Sequence, residues 1–176
     1  MNIRLALVAL AAGVAALGPV RAEETAILGP DAAACAPESG ATAALVTVSG
    51  FKDRNGNVRL QLYPDNEKDF LRSGKKLTTE GKVFRRVETP MPADGDAVIC
   101  IKLPQPGRFA MAVLHDRNAD GKLNVFSDGF GFPNNPKVRL GTPDVDKVTF
   151  AAAQGLTPLA ITVNYLGGRS QTAKRP

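Results

Sequence analysis

The sequence predicts an all-β protein: a single antiparallel β-sandwich of about seven strands with one short helix and a long ordered loop. Three observations favour this fold class. Short segments rich in apolar and β-branched residues recur along the chain, turn signals of Gly, Pro, Asn and Asp separate them, and one segment alone has a helical pattern. An alternation of strands and long helices, which would indicate a parallel sheet, is not seen.

The chain begins with the pattern of a secretory signal peptide over residues 1–22. A basic residue, Arg4, precedes the apolar run 5–17, and Val20 and Ala22 place small residues before the expected cleavage point. The run is too short for a membrane span and Gly18-Pro19 interrupts it, so no span is expected after removal of the signal. We therefore expect a periplasmic or secreted protein.

Three further segments follow the signal. Residues 23–42 lack periodicity and are expected to form a flexible leader, residues 43–166 the β-sandwich domain, and residues 167–176 a disordered basic tail. An even pair of cysteines in an exported chain predicts a disulfide between Cys35 and Cys100, which would tie the leader to the sheet.

The elements of the domain can be placed in order. A first strand over 44–49 leads through the turn signal Asn55-Gly56 into a second over 58–63, whose strict alternation predicts one buried and one exposed face. Residues 65–76 form the expected helix, with Asp65 or Asn66 as its cap and Gly74 at its end. The remaining strands are expected at 83–88, 97–103, 108–115, 147–151 and 159–165.

The net charge is +5, and removing the two basic residues of the signal leaves 5 − 2 = 3 positive charges. The basic residues are scattered and few aromatic residues accompany them. Nucleic-acid binding requires a concentrated basic face with stacking rings, so no nucleic-acid partner is expected.

The loop that follows the best strand carries the densest cluster of oxygen-bearing side chains. Its D-x-N-x-D-G string directs three side chains toward one point, as calcium sites require, which makes calcium the candidate cofactor. The candidate metal ligands are Asp116, Asn118, Asp120, Lys122 (through its carbonyl), Asn124 and Asp128. Two features depart from the usual calcium loop: Ser127 occupies the position of the bidentate acid, and a strand precedes the loop. The same string also forms metal-free turns, and both interpretations stay open.

The rest of this loop mixes glycines with aromatic and amide side chains. If these rings are exposed, they would bind a sugar or peptide, whereas buried rings would serve to stabilise the fold. The candidate binding residues are Phe126, Phe130, Phe132, Asn134 and Asn135.

His115, the single histidine, stands beside Asp116 at the end of a predicted strand. Catalysis would need a nucleophile and an orienting partner, and the sequence contains no recognisable nucleophile motif. We therefore assign no catalytic residue and expect a protein that is not an enzyme, with a hydrolase using His115 as an alternative.

These motifs together resemble a bacterial family of uncharacterised exported proteins, a domain-of-unknown-function family. The resemblance covers residues 43–166 and is carried by G-x-V-x-x-x-L-Y from Gly56, F-L at Phe70, L-P-x-P-G-x-F-A from Leu103, H-D-x-N-x-D-G-K-L from His115, G-x-G-F from Gly129, N-N-P from Asn134, and N-Y at Asn164. It implies a transthyretin-like or prealbumin-like β-sandwich that is exported, and it implies no established activity.

The sequence thus indicates an exported, non-enzymatic binding or accessory module of the bacterial envelope that acts through the 116–135 loop. Its partner is an unknown envelope ligand or protein. The alternative is a purely structural envelope protein stabilised by calcium or the disulfide. Exposed aromatic rings in the loop would favour binding, and buried rings would favour the structural role.

Overall fold

The protein is described by a computed structural model that covers residues 26–137 and 141–166. The strands in chain order are β1 (Ala43–Ser49), β2 (Asn57–Pro64), β3 (Arg85–Pro90), β4 (Ala97–Lys102), β5 (Gly107–Asp116), β6 (Gly129–Gly131), β7 (Thr149–Ala152) and β8 (Leu156–Thr162). One helix, α1 (Gly74–Thr79), and the short 3₁₀ turns Ala32–Cys35 and Val145–Lys147 complete the described elements.

The strands form two sheets, as the predicted β-sandwich requires. One sheet has the order β4-β1-β8, and the other has the order β3-β2-β5-β6, with β7 pairing to the first part of β5. The pairs are antiparallel except for β1 and β8, which run parallel. The sequence prediction missed β6 because three residues, Gly-Phe-Gly, are too few to show a strand periodicity.

Apolar side chains between the two sheets make the main core. The buried face predicted for β2 is confirmed, because Val58, Leu60 and Leu62 are fully buried, whereas the prediction that its other face is exposed is wrong. The opposite face of β2 is buried in part as well, since Arg59 and Tyr63 are each 3% exposed. The sheet to which β2 belongs is therefore covered on both faces over part of its area.

A second apolar cluster covers the outer face of the five-stranded sheet. Small residues of β5, Ala110 and Ala112, leave room for the rings of Tyr63, Phe70 and Phe132. The connection over residues 65–84 supplies part of this cover, including the buried Leu77 of α1.

The helix lies later in the chain than the sequence predicted. Asp65 does not cap it, because its carboxylate accepts hydrogen bonds from Thr149 Oγ1 at 2.7 Å and Arg108 Nε at 2.8 Å. Leu71 then adopts a left-handed backbone conformation with φ of 59°, which interrupts the turns over 65–71 before α1 begins at Gly74. Similarly, β8 begins at Leu156 rather than at 159, because Pro158 is tolerated in an edge strand.

The segment expected to be a flexible leader is packed where the structure describes it, from residue 26. Cys35 and Cys100 form the predicted disulfide. Leu28 also pairs with Ile99 of β4, and the carboxylate of Asp31 accepts a hydrogen bond from the backbone N–H of Lys102 at 2.8 Å. Backbone pairing and a side-chain hydrogen bond therefore attach this segment to β4 in addition to the disulfide.

The predicted signal over 1–22 and the predicted tail over 167–176 lie outside the described residues. Within the ranges that the structure describes, no helix has the length and apolar character needed to cross a membrane.

Candidate functional site

The first half of the central loop, residues 116–128, folds around the carboxylate of Asp116, which is fully buried. Its Oδ2 accepts hydrogen bonds from the backbone N–H of Gly121 at 2.8 Å and from Arg59 Nη2 at 3.2 Å. Its Oδ1 accepts one from the backbone N–H of Asp120 at 3.2 Å. The D-x-N-x-D-G string therefore closes into a tight turn around this carboxylate.

The guanidinium of Arg59 enters the same turn from β2. Besides its contact with Asp116, it donates to the carbonyl oxygen of Gly121 at 3.1 Å and to Glu88 at 2.7 Å. Glu88 lies directly opposite Arg59 in the register of β2 and β3. The planar fork of arginine suits such a set of acceptors, and three oxygen-bearing groups of the protein surround this buried cation.

Asp128 closes the end of this half of the loop. It is buried, and its carboxylate accepts hydrogen bonds from the backbone N–H groups of Asn124 at 2.8 Å and Arg117 at 3.3 Å. Buried carboxylates are stable only with such donors.

The other candidate metal ligands lie on the surface. Asn118 donates to Asp120 at 2.9 Å, and the backbone N–H of Lys122 donates to Asp120 at 2.8 Å. These contacts hold the pKa of Asp120 below its usual value. The structure thus separates the predicted ligands into two buried carboxylates and an exposed group.

Within the described ranges, no group of three or more His, Cys, Asp or Glu side chains is arranged to hold a metal ion. The predicted calcium site also uses asparagine and backbone oxygens. Calcium binding therefore stays a prediction.

The aromatic residues of the loop have two different environments. Phe130 and Phe132 are buried, and Phe132 packs edge-on against Phe70 with ring centroids 6.1 Å apart. Phe126 is 77% exposed, and Leu123 near it in the chain is 53% exposed. Among the described residues of this loop, the large apolar side chains that are exposed lie at its tip.

Asn134 and Asn135 hold the end of the loop to the sheets. Asn134 donates to the carbonyl of Thr149 at 2.9 Å. Asn135 donates to the carbonyl of Ala160 at 3.1 Å and accepts from the backbone N–H of Thr162 at 2.7 Å, so its amide pairs with the edge of β8 as a strand residue would. Both asparagines have positive φ, which this residue type tolerates better than most.

His115 is buried and both of its ring nitrogens have partners. Nε2 lies 2.8 Å from the carbonyl of Asn55, and Nδ1 lies 2.5 Å from the hydroxyl of Tyr165. The carbonyl can only accept, so Nε2 carries the proton; Tyr165 then donates to Nδ1 and accepts from the backbone N–H of Lys52 at 3.0 Å. Burial lowers the pKa of His115 and opposes its protonation, although Asp53, whose Oδ1 is 3.9 Å away, acts in the other direction.

A groove of about 710 Å³ lies on the outer face of the five-stranded sheet, beside the first half of the loop. Its floor is formed by Arg59, Gln61, Tyr63 and Leu114, and its walls by Leu71, Arg72, Ser73, Gly74, Lys75, Phe84, Arg86, Gly121 and Leu123. This volume is within the range of small-molecule sites. The groove could not be predicted from the sequence because its walls come from segments that are distant in the chain. The one available signal was the polar face of β2.

The charged side chains that line this groove are all cationic. Arg59 is neutralised by Glu88 and Asp116, and Arg72 forms salt bridges with Asp69 and Glu80. Neither Lys75 nor Arg86 forms a salt bridge within the part of the chain that the structure describes. Burial raises the pKa of Tyr63 on the floor to about 12, which keeps this phenol neutral.

The model of a family described as "Uncharacterized protein conserved in bacteria (DUF2141)" matches residues 46–159. No curated protein and no solved structure matches the chain.

Proposed function

The chain belongs to this family of uncharacterised bacterial proteins, and we propose that it is an exported, non-enzymatic binding module of the envelope whose ligand occupies the groove beside the central loop. The observation that carries the proposal is the groove itself. It is concave, it has the volume of a small-molecule site, and its walls include the exposed leucines Leu71 and Leu123.

Exposed leucines at one concave surface favour binding. Leu71 is 40% exposed, and Leu123 extends from the loop whose base is fixed by Asp116 and Arg59. A fixed loop base lowers the entropy cost of ordering the wall when a ligand binds. The loop therefore takes part in binding as one wall of the groove rather than through Phe130 and Phe132.

Two features support export and a role other than catalysis. The N-terminal pattern over 1–22 is typical of a secretory signal, and the disulfide between Cys35 and Cys100 suits an oxidising compartment. Both nitrogens of His115 are used in contacts that join the turn over 51–57 to Tyr165, and His115 is not among the groove residues.

The proposal can be tested by recording amide NMR spectra of the protein during titration with decanol, a neutral probe of the apolar walls. We expect saturable shifts at Gln61, Lys75 and Leu123. Leu123→Asp should weaken binding by about tenfold or more, the equivalent of losing one buried leucine contact. Leu156→Asp is the matched control, because Leu156 is 48% exposed and is not among the groove residues. Shifts spread over the surface, or equal effects of the two variants, would refute a ligand site in the groove.

A purely structural role is the second candidate, and the burial of Phe130 and Phe132 favours it. In that case the loop only stabilises the fold, mainly through the hydrogen bonds around Arg59 and Asp116. The same titration separates the two functions, since a structural protein would show no saturable site.

We propose further that the Arg59 guanidinium takes the place that the D-x-N-x-D-G string assigns to calcium. It contacts a side-chain oxygen of Asp116 and the backbone oxygen of Gly121, the two kinds of ligand that a calcium ion would use.

A further inference from the structure

The groove has an unbalanced positive charge at one wall. Arg86 of β3 lies opposite Gln61 of β2 in the sheet register, and Lys75 belongs to α1. The carboxylate of Glu88 interacts with the charge of Arg86, but it accepts its hydrogen bonds from Arg59 and Asn57. Two cations that form no salt bridge with any described residue, beside two arginines that do, favour an anionic ligand.

The ring of Phe84 contacts Arg86 and lies close to the start of α1. The guanidinium carbon of Arg86 lies 5.7 Å from the centroid of this ring, within the distance of a cation–π contact. On the helix side, a Cβ added to Gly74 would lie 2.1 Å from Cε1 of the same ring. Glycine at this position therefore allows the start of α1 to approach Phe84, and Lys75, which also lines the groove, follows it directly in the chain.

The remaining wall of the groove is aliphatic. Leu71 has a left-handed backbone conformation, with φ of 59°, and its side chain stays partly exposed at the groove. Such a conformation is unfavourable for a leucine and persists only where the surroundings hold it. Those surroundings include the salt bridges of Arg72 to Asp69 and Glu80. Leu123 from the loop and Leu114 from the floor extend the apolar surface.

We propose that the ligand is an anionic amphiphile: an aliphatic chain that carries a carboxylate or phosphate head group. The head group contacts Lys75 and Arg86, and the chain lies against Leu71, Leu114 and Leu123. Guanidinium and ammonium groups bind both kinds of oxyanion, so the shared chemistry is that of an oxyanion on an alkyl chain. This inference rests on the proposed function and adds the class of its ligand.

The test compares four decyl compounds with the same chain, each below its micellar concentration: decanoate, decyl phosphate, decanol and decyltrimethylammonium. Affinities are measured by amide NMR titration of the protein. We expect decanoate or decyl phosphate to bind at least about tenfold more tightly than decanol, and the cation to bind most weakly. The preferred anion identifies the source as a fatty acid or a phosphate head group. Added salt should reduce the preference for anions.

Paired variants show which cations bind the anionic head group. The double variant Lys75→Gln, Arg86→Gln should reduce the affinity for the anions to that for decanol and leave decanol binding unchanged. The matched control is Lys52→Gln, Arg54→Gln, because Arg54 stacks on Phe51 at 5.4 Å as Arg86 stacks on Phe84, and neither control residue lines the groove.

The outcomes distinguish this inference from the function on which it rests. If decanol binds in the groove and the anions bind no more tightly, the binding module stands and the ligand class is wrong. If the anions bind more tightly but the groove and control variants behave alike, the assignment of Lys75 and Arg86 is overturned. If no decyl compound shifts the groove amides, the proposed function fails, and the inference fails with it.

Discussion

The two halves of the central loop are stabilised by different interactions, although they follow one another directly in the chain. Residues 116–128 are held by hydrogen bonds to buried charged groups, Asp116, Asp128 and Arg59. Residues 129–135 are held by buried rings and by amides that pair with strand edges. The first half leaves its tip exposed and forms a wall of the groove, whereas the second half is part of the fold.

Glycine explains how the second half packs so closely. A Cβ at Gly131 would lie 2.8 Å from the carbonyl oxygen of Thr162, and one at Gly129 would lie 2.4 Å from Cγ1 of Val163. The backbone of Phe130 between them exchanges two hydrogen bonds with Asn164, at 2.9 and 2.8 Å. The Gly-Phe-Gly segment thus joins the five-stranded sheet to the chain that follows β8.

The largest effect on stability is expected from a substitution in residues 129–135, the half of the loop that is held by buried rings. Phe132→Ala should lower the free energy of unfolding by about 3–5 kcal/mol, because it removes a 95% buried ring and leaves a cavity beside Phe70. Phe126→Ala is the control within the other half. Because Phe126 is 77% exposed, its loss should change stability by less than about 0.5 kcal/mol. Urea denaturation measures both, and equal losses would contradict the division of the loop.

The next largest effect on stability is expected from a substitution in residues 116–128, the half of the loop that is held by hydrogen bonds to buried charged groups. Asp116→Asn should lower the free energy of unfolding by about 1.5–3 kcal/mol, because it weakens charge-assisted hydrogen bonds to Arg59 and Gly121 in a buried site. Asp120→Asn is the matched change in the same string, and a much smaller loss is expected there because this carboxylate is exposed. A larger loss for Asp120→Asn than for Asp116→Asn in the same denaturation experiment would show that the turn depends on its exposed carboxylate instead.

The sequence could predict the interactions that depend on neighbours in the chain, but not those that depend on distant segments. The alternation of β2 predicted that Val58, Leu60 and Leu62 face the core, and the structure confirms it. The burial of Arg59 could not be predicted, since it results from Glu88 of β3 and from a turn more than fifty residues later. For the same reason Asp116 and Asp120 looked equivalent in sequence, whereas the fold buries only the first.

His115 stands where the two halves meet, because it ends the pairing of β5 with β6 opposite Gly129. Burial lowers its pKa in the folded protein, while the unfolded chain titrates near the ordinary value of about 6.5. The unfolded state therefore binds more protons just below that pH. The stability from the neutral imidazole is complete above pH 6.5 and is lost as the pH falls through the folded-state pKa.

This pH dependence can be measured from urea midpoints between about pH 7.5 and pH 5, above the range where carboxylates titrate. The natural protein should lose stability over this interval. His115→Gln should be less stable at pH 7.5 but should show a flatter profile, and a variant profile as steep as the natural one would assign the dependence to other groups. Tyr165→Phe keeps the ring of Tyr165 and removes only its hydrogen bond to Nδ1, so its profile shows whether that bond contributes.

The smallest effect concerns the cation that holds residues 116–128 together. Thermal unfolding of the protein with millimolar calcium and with chelator should give melting temperatures that agree within about one degree, because the Arg59 guanidinium already contacts Asp116 and Gly121. Arg59→Met removes this cation while keeping a long side chain, and a calcium-dependent rise in melting temperature is expected because Asp116 becomes available. A gain of several degrees in the natural protein would instead place calcium in the loop beside Arg59. Asp120→Ala would then identify the ligands, since a calcium site formed by the D-x-N-x-D-G string must lose its gain with that side chain.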